Sequence, residues 1–411
     1  MKKTLRYLTS GIATLIGIAA LAVPTFAQDT SPQDEECAKI YENFGKVRKT
    51  DETQARKYAQ EYLDKCKGKA ADIDDYLTKW VTKYDWIKLN QDFNTAFEKD
   101  DFATLYSKGK QILDTTPDAM ANLITLKVAN GNENVDATLK MGYAGYQAEK
   151  AKNTSYRNDA VNYAKTAIQM LESGKAPNSW WKFKGKDDAL AWLNFGIGFM
   201  WREAMPKDAA VYFYKSSMYE STIKSFPSIY IFIANFYESQ YRKQTAENDK
   251  KFPPGSPESP ESKAADELAF AWMDRWADAL ARAIKLASPQ EPNKKAWTET
   301  LTQIFKARYN TEEGVAEYIN TVQSKPLPDP TTEPKPMPVR EVKVDAATTT
   351  DTKPTTITST PTTSDVAMTN GNGTTPKTNS TATKGTTATA GATTTPAKKA
   401  PAKKGGKKKP K

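Results

Sequence analysis

The 411-residue chain contains no histidine and only two cysteines. Without an imidazole, histidine-dependent triads, histidine-ligated zinc and imidazole acid/base chemistry are excluded. Pairing of Cys37 with Cys66 would remove thiol catalysis and thiolate metal ligation as well. Glycine-rich phosphate loops of the P-loop type are missing, and Gly142 with Gly145, or Gly196 with Gly198, do not make a dinucleotide fingerprint. These glycines lie in helical stretches and are expected to let helices approach closely. Acid is missing from the end of the chain: Val366–Lys411 carries ten lysines and no Asp or Glu. Taking those ten from the 59 basic residues leaves 49 against 49 acids. The net charge of +10 therefore belongs to a tail and does not mark a basic folded face. No cofactor, metal site or catalytic residue is expected.

What is present divides into three parts. Lys2, Lys3 and Arg6 precede an apolar run from Ile12 to Val23, and Pro24-Thr-Phe-Ala27 supplies small residues. This pattern predicts a signal peptide over residues 1–27, cleaved after Ala27, and export to the periplasm or the medium. The alternative is an uncleaved anchor, for which the apolar run is short. Residues 28–324 are rich in Ala, Leu, Tyr, Trp and Phe and carry helical periodicity almost throughout. Residues 325–411 are dominated by Thr, Pro, Ala and Lys and predict a disordered tail, because such a composition buries too little to offset its entropy.

Within the middle part, Gly131 and Gly174 follow helical stretches where a left-handed C-terminal residue fits. Pro117, Pro206 and Pro227 are placed for helix starts. About a dozen helices joined by short turns are expected, and short turns favour antiparallel neighbours. Phe252-Pro-Pro-Gly-Ser-Pro-Glu-Ser-Pro-Glu261 interrupts the pattern as a surface loop near 250–262, or as a domain boundary. Export permits a disulfide. Asp51-Glu52 marks a turn between two helices, and Cys37 and Cys66 both lie roughly 20 Å from it at the helical rise. They are level across the hairpin, which predicts a staple rather than redox chemistry.

Several second helices repeat a small or apolar residue at i, i+4 and i+7: Leu105, Gly109 and Ile112; Ala160, Ala164 and Ala167; Ala210, Tyr214 and Ser217; Trp276, Leu280 and Ala283. The stretch Lys99–Pro117 resembles the second half of a tetratricopeptide repeat, and Trp192 with Gly196 resembles the bulky and small positions of a first helix. The resemblance is degenerate: Trp192–Pro227 exceeds one standard repeat, and Asn130–Asn153 has no clean register. It implies an all-α array of helical hairpins, a right-handed superhelix with a concave peptide-binding surface.

The acidic doublets Asp74-Asp75, Asp100-Asp101, Asp187-Asp188 and Glu312-Glu313 fall near predicted helix starts. Neighbours on a helix point about 100° apart, so a doublet suits capping better than a shared catalytic site. Aromatics cluster from Trp180 to Tyr241. Trp192, Phe195 and Phe199 share a helical face and read as core. Tyr212-Phe213-Tyr214 spreads rings around its helix. Trp180, Trp181, Tyr212 and Tyr214 are therefore the candidate ligand groove, with helix packing as the alternative.

The lysines Lys398, Lys399, Lys403, Lys404, Lys407, Lys408, Lys409 and Lys411 form a polybasic cluster on a chain with an end-to-end distance of about 50 Å. Outside the cytoplasm it would meet membrane head groups or anionic envelope polymer, each lysine contributing about 1 kcal/mol at most. Nucleic acid needs the same charge, but export argues against it. Together these features read as an exported scaffold that docks a protein or peptide partner. A non-catalytic binder of wall glycan or anionic polymer is the second reading, and a carboxylate-dependent glycan-active enzyme the third.

Overall fold

The computed structural model describes residues 31–335. The proposed leader and the lysine cluster at Lys398–Lys411 lie outside the described residues. Thirteen α-helices, and no strand, occur among those described. They are α1 (Pro32–Val47), α2 (Glu52–Lys65), α3 (Ala71–Glu98), α4 (Phe102–Leu113), α5 (Pro117–Thr125), α6 (Glu133–Lys150) and α7 (Arg157–Glu172). After them come α8 (Lys186–Trp201), α9 (Pro206–Met218), α10 (Pro227–Lys251), α11 (Pro260–Leu286), α12 (Lys294–Tyr309) and α13 (Val315–Thr321).

The helix ends follow local chemistry. Asp51, Asp101 and Thr116 accept from the backbone N–H three residues on, and Ser31 and Ser259 do the same inside capping boxes closed by Asp34 and Ser262. Pro117, Pro206 and Pro227 open α5, α9 and α10, where a missing N–H leaves no helical bond unmade. Gly131 and Gly174 adopt φ of 90° and 89°, a region that strains any residue with a Cβ.

The helices pair with their chain neighbours: α1 with α2, α3 with α4, α6 with α7, α8 with α9 and α10 with α11. Each pair leans on the next through α2–α3, α4–α6, α7–α8, α6–α8 and α9–α10, and α12 and α13 close against α11. The proline-rich stretch after Phe252 is a loop inside the α10–α11 hairpin. Those two helices pack along each other, so no domain boundary lies there.

Close packing at one crossing depends on glycine. A Cβ on Gly142 would sit 2.7 Å from the Ala164 Cα, and one on Gly145 would strike the Ala160 methyl. Ala160, Ala164 and Ala167 are all buried, so the small stripe of α7 is the surface against which α6 rests. The stripe Leu105, Gly109 and Ile112 is buried on α4 in the same way. Helix α6 packs on α4, α7 and α8 together. Buried on nearly every side, it presents no amphipathic stripe, and this is why its sequence shows no register.

Candidate functional site

The four aromatics expected to line one groove belong to separate neighbourhoods. Trp181, in the α7–α8 connection, packs its ring on Phe97 at 4.0 Å, Tyr143 at 5.7 Å and Phe183 at 5.8 Å. The Lys182 amine lies over its face at 4.6 Å. Trp180 beside it is half-buried. Tyr212, on α9, meets Trp201 at 5.5 Å. Tyr214 is two residues on along the same helix, about 200° around it, and its phenol pKa is raised by burial first and then by the Asp329 charge. Trp181 and Tyr212 thus pack on different aromatic partners, and all four residues are half-buried. Adjacent aromatic positions on a helix diverge, and sequence proximity does not make them converge.

Next to Trp181, the Lys140 amine donates to Asn94 Oδ1 at 2.6 Å and lies over the Phe93 and Phe97 rings. Burial holds its pKa below the usual lysine range, opposed by Asp136 and Glu98.

The acidic doublets are used locally. Asp101 caps α4. Asp75 pairs with Lys79, and Asp74 accepts from the Gly68 N–H at 2.6 Å. Asp188 is buried and accepts from the Lys184 N–H, the Thr222 N–H and the Thr222 hydroxyl, tying the start of α8 to the turn after α9. Glu312 pairs with Lys306. A cleft of about 510 Å³ opens between α3, α4 and α5, lined by Trp86, Leu89 and Leu123. Its carboxylates are engaged, Asp85 by Arg56 at 2.9 Å and Asp92 by Lys88 at 2.5 Å. Among the described residues no group of three or more Cys, Asp or Glu side chains converges as a metal site, and no helix is long and apolar enough to cross a membrane.

The best-built recognition geometry involves a segment that the sequence assigns to the tail. The boundary at Lys325 is corrected: residues 325–335 are without helix or strand and lie against the helices. Leu327, Pro330 and Pro334 are buried. The Tyr237 hydroxyl donates to the Pro328 carbonyl at 2.7 Å. Arg275 Nη1 donates to the carbonyls of Asp329 at 3.0 Å and Thr332 at 2.8 Å, and Nη2 to the Thr332 hydroxyl at 3.0 Å and the Glu333 carbonyl at 2.9 Å. Arg282 Nη2 donates to the carbonyls of Val322 at 3.0 Å and Lys325 at 2.7 Å, while its Nε is held by Asp278 Oδ1 at 2.6 Å. Arg282 meets the start of the segment and Arg275 its end, so the segment runs antiparallel to α11.

The chemistry of the two surfaces matches. Pro326, Pro328, Pro330 and Pro334 have no N–H, so the segment presents mainly carbonyl acceptors. Arginine and tyrosine hydroxyl supply donors in return. The Arg275 guanidinium lies over Trp272 at 5.5 Å and Tyr237 at 5.9 Å, which fixes the plane of its fork. Burial lowers its pKa, and burial followed by the Asp329 carboxylate pushes the Tyr214 phenol up.

Arg275, Arg282 and Tyr237 were not singled out by sequence. The available signal was Arg275 and Arg282 seven positions apart on one helix, with Asp278 four before Arg282, a spacing that places all three near one face. Composition alone misses this contact because a proline-rich segment without a core of its own can borrow one from a neighbouring helix pair. No protein-family model, curated protein or solved structure matches this chain.

Proposed function

We propose that the chain is an exported, tetratricopeptide-like scaffold of the bacterial envelope that docks a protein partner, with its polybasic tail adding weak attachment to anionic surfaces. The observation that carries this reading is the extended segment 325–335 held against α10 and α11 through its backbone carbonyls. Such a surface binds a chain by shape and backbone, as peptide-docking domains do. The stacking of hairpins on chain neighbours supports the repeat reading. The Cys37–Cys66 bridge suits an oxidising compartment.

Photo-crosslinker placed at Trp272 tests the docking reading in envelope extract. A discrete protein adduct, lost with Arg275→Ala and not formed from the same probe at Lys295 on α12, is expected. Equal labelling from both positions would end it. Retention on anionic vesicles, removed by deleting Lys398–Lys411, is the corresponding readout for the tail.

A further inference from the structure

The contacts along residues 325–335 fall into two tiers. At the root, Arg282 and Asp278 are both buried, and the guanidinium grips the Val322 and Lys325 carbonyls. Farther on, the bonds from Arg275 to Thr332 and Glu333 are exposed to water. Exposed hydrogen bonds exchange readily with solvent, so each holds the segment only weakly. The outer part can leave with the root still clamped when another chain re-covers the apolar surface under Pro330 and Pro334, and no helix has to open, because the segment follows the last helical turn, Val322–Ser324.

Departure would uncover a surface with a defined demand. Tyr237 and Trp272 provide an aromatic floor, and Arg275 and the Tyr237 hydroxyl present the donors that held the departed carbonyls. The chemistry that satisfies all of these at once is an extended peptide rich in carbonyls and poor in N–H groups, with apolar side chains at the positions of Leu327 and Pro330. Proline spacing supplies that combination at low entropic cost, since the free chain is already extended.

Building on the docking reading above, we propose that the α10–α11 face recognises proline-rich extended peptides of a partner protein, and that residues 326–335 occupy it in cis as a competing pseudo-ligand. A site occupied in cis for most of the time shows a trans affinity reduced by the fraction left open, so an occupancy of about 90% weakens the partner about tenfold.

The probe is a fluorescent synthetic peptide with the sequence of residues 325–335. It is titrated against the full chain and against the full chain carrying Leu327→Asp and Pro330→Asp, which spoil the cis segment and leave every groove residue in place. Circular dichroism verifies that both are folded. The expected result is binding to the double variant at least about tenfold tighter than to the unaltered chain, abolished when Arg275→Ala is added. Equal affinity for both chains would overturn cis competition and leave docking standing. Binding to neither would overturn the docking reading itself. Binding indifferent to Arg275→Ala would place the peptide elsewhere and overturn the proposal.

Discussion

At one end of the described residues, α1 and α2 close over a small cluster of Cys37, Ile40, Phe44, Ala55, Ala59, Tyr62 and Cys66, with Leu77 and Val81 of α3 beneath. At the other, α10 and α11 run for 25 and 27 residues and fully bury Tyr237, Tyr241 and Trp276. The polar contacts differ as sharply. Around α1–α2 the ion pairs are exposed or half-exposed, such as Lys65 with Glu36 and Lys69 with Asp34, and pairs of this kind contribute about 0–1 kcal/mol. On α11 the pair Arg282–Asp278 is buried, as is the bond from Arg308 on α12 to Asp274. A hairpin of 16- and 14-residue helices has little apolar surface to bury, and a covalent bridge joins its open end: Cys37 and Cys66 are bonded, with Cα atoms 5.8 Å apart. The long pair needs no bridge. The same topology is held by a cross-link in one place and by buried area in the other, where the buried charges are paired.

The largest break should come from the buried pair. Arg282→Ala leaves Asp278 without its counter-charge and the Val322 and Lys325 carbonyls without a donor, and is expected to cost about 3–5 kcal/mol in a urea titration. Replacing both partners, Arg282→Met with Asp278→Leu, should recover much of that loss. Burial already raises the Asp278 pKa against the pull of Arg282, and removing Arg282 raises it further. An acid whose folded pKa exceeds its unfolded value costs nothing below the unfolded pKa of about 3.9, and its penalty accrues as pH rises to the folded value. The charge-linked part of the Arg282→Ala deficit should therefore grow as pH rises above about 4 and fade as pH falls toward it, while the part due to the two carbonyls left without a donor persists.

Opening the bridge sharpens the other side. Cys37→Ser with Cys66→Ser closes no loop in the unfolded chain and should cost about 3–4 kcal/mol in the chain-entropy model. Amide exchange is expected to rise in α1 and α2 and to stay unchanged in α10 and α11. Uniform acceleration across both hairpins would erase the contrast between them.

Between the two ends, Gly142→Ala forces a methyl against the Ala164 backbone and should lose about 1–3 kcal/mol, read as a lowered Tm. The smallest effect expected is that of Tyr237→Phe. It removes one hydrogen bond to the Pro328 carbonyl, about 1 kcal/mol, and should speed exchange at the Thr331 and Thr332 amides while leaving α10 protected.

Much of the local architecture was legible. Pro117, Pro206 and Pro227 announce helix starts, Gly131 and Gly174 announce ends, and the i, i+4, i+7 stripes on α4 and α7 are buried. The level placement of Cys37 and Cys66 followed from the helical rise and one turn. Helix α6 was illegible because burial on every side removes periodicity. Which aromatic rings meet was not legible, because Tyr212 and Tyr214 diverge around one helix while Trp181 packs on Phe97 and Tyr143, far away in sequence.

Sequence by itself determined that the described residues are helical and where many helices start and stop, because caps, prolines and hydrophobic spacing act over a few residues of chain. It also determined what chemistry is impossible, since no fold can supply a histidine that is not encoded. Only the tertiary structure decided that residues 325–335 rest on α10 and α11, because Arg275 and the Thr332 carbonyl it binds are 57 positions apart. Which donor meets which acceptor at that range depends on where two packed helices place their faces, and no local pattern carries that information.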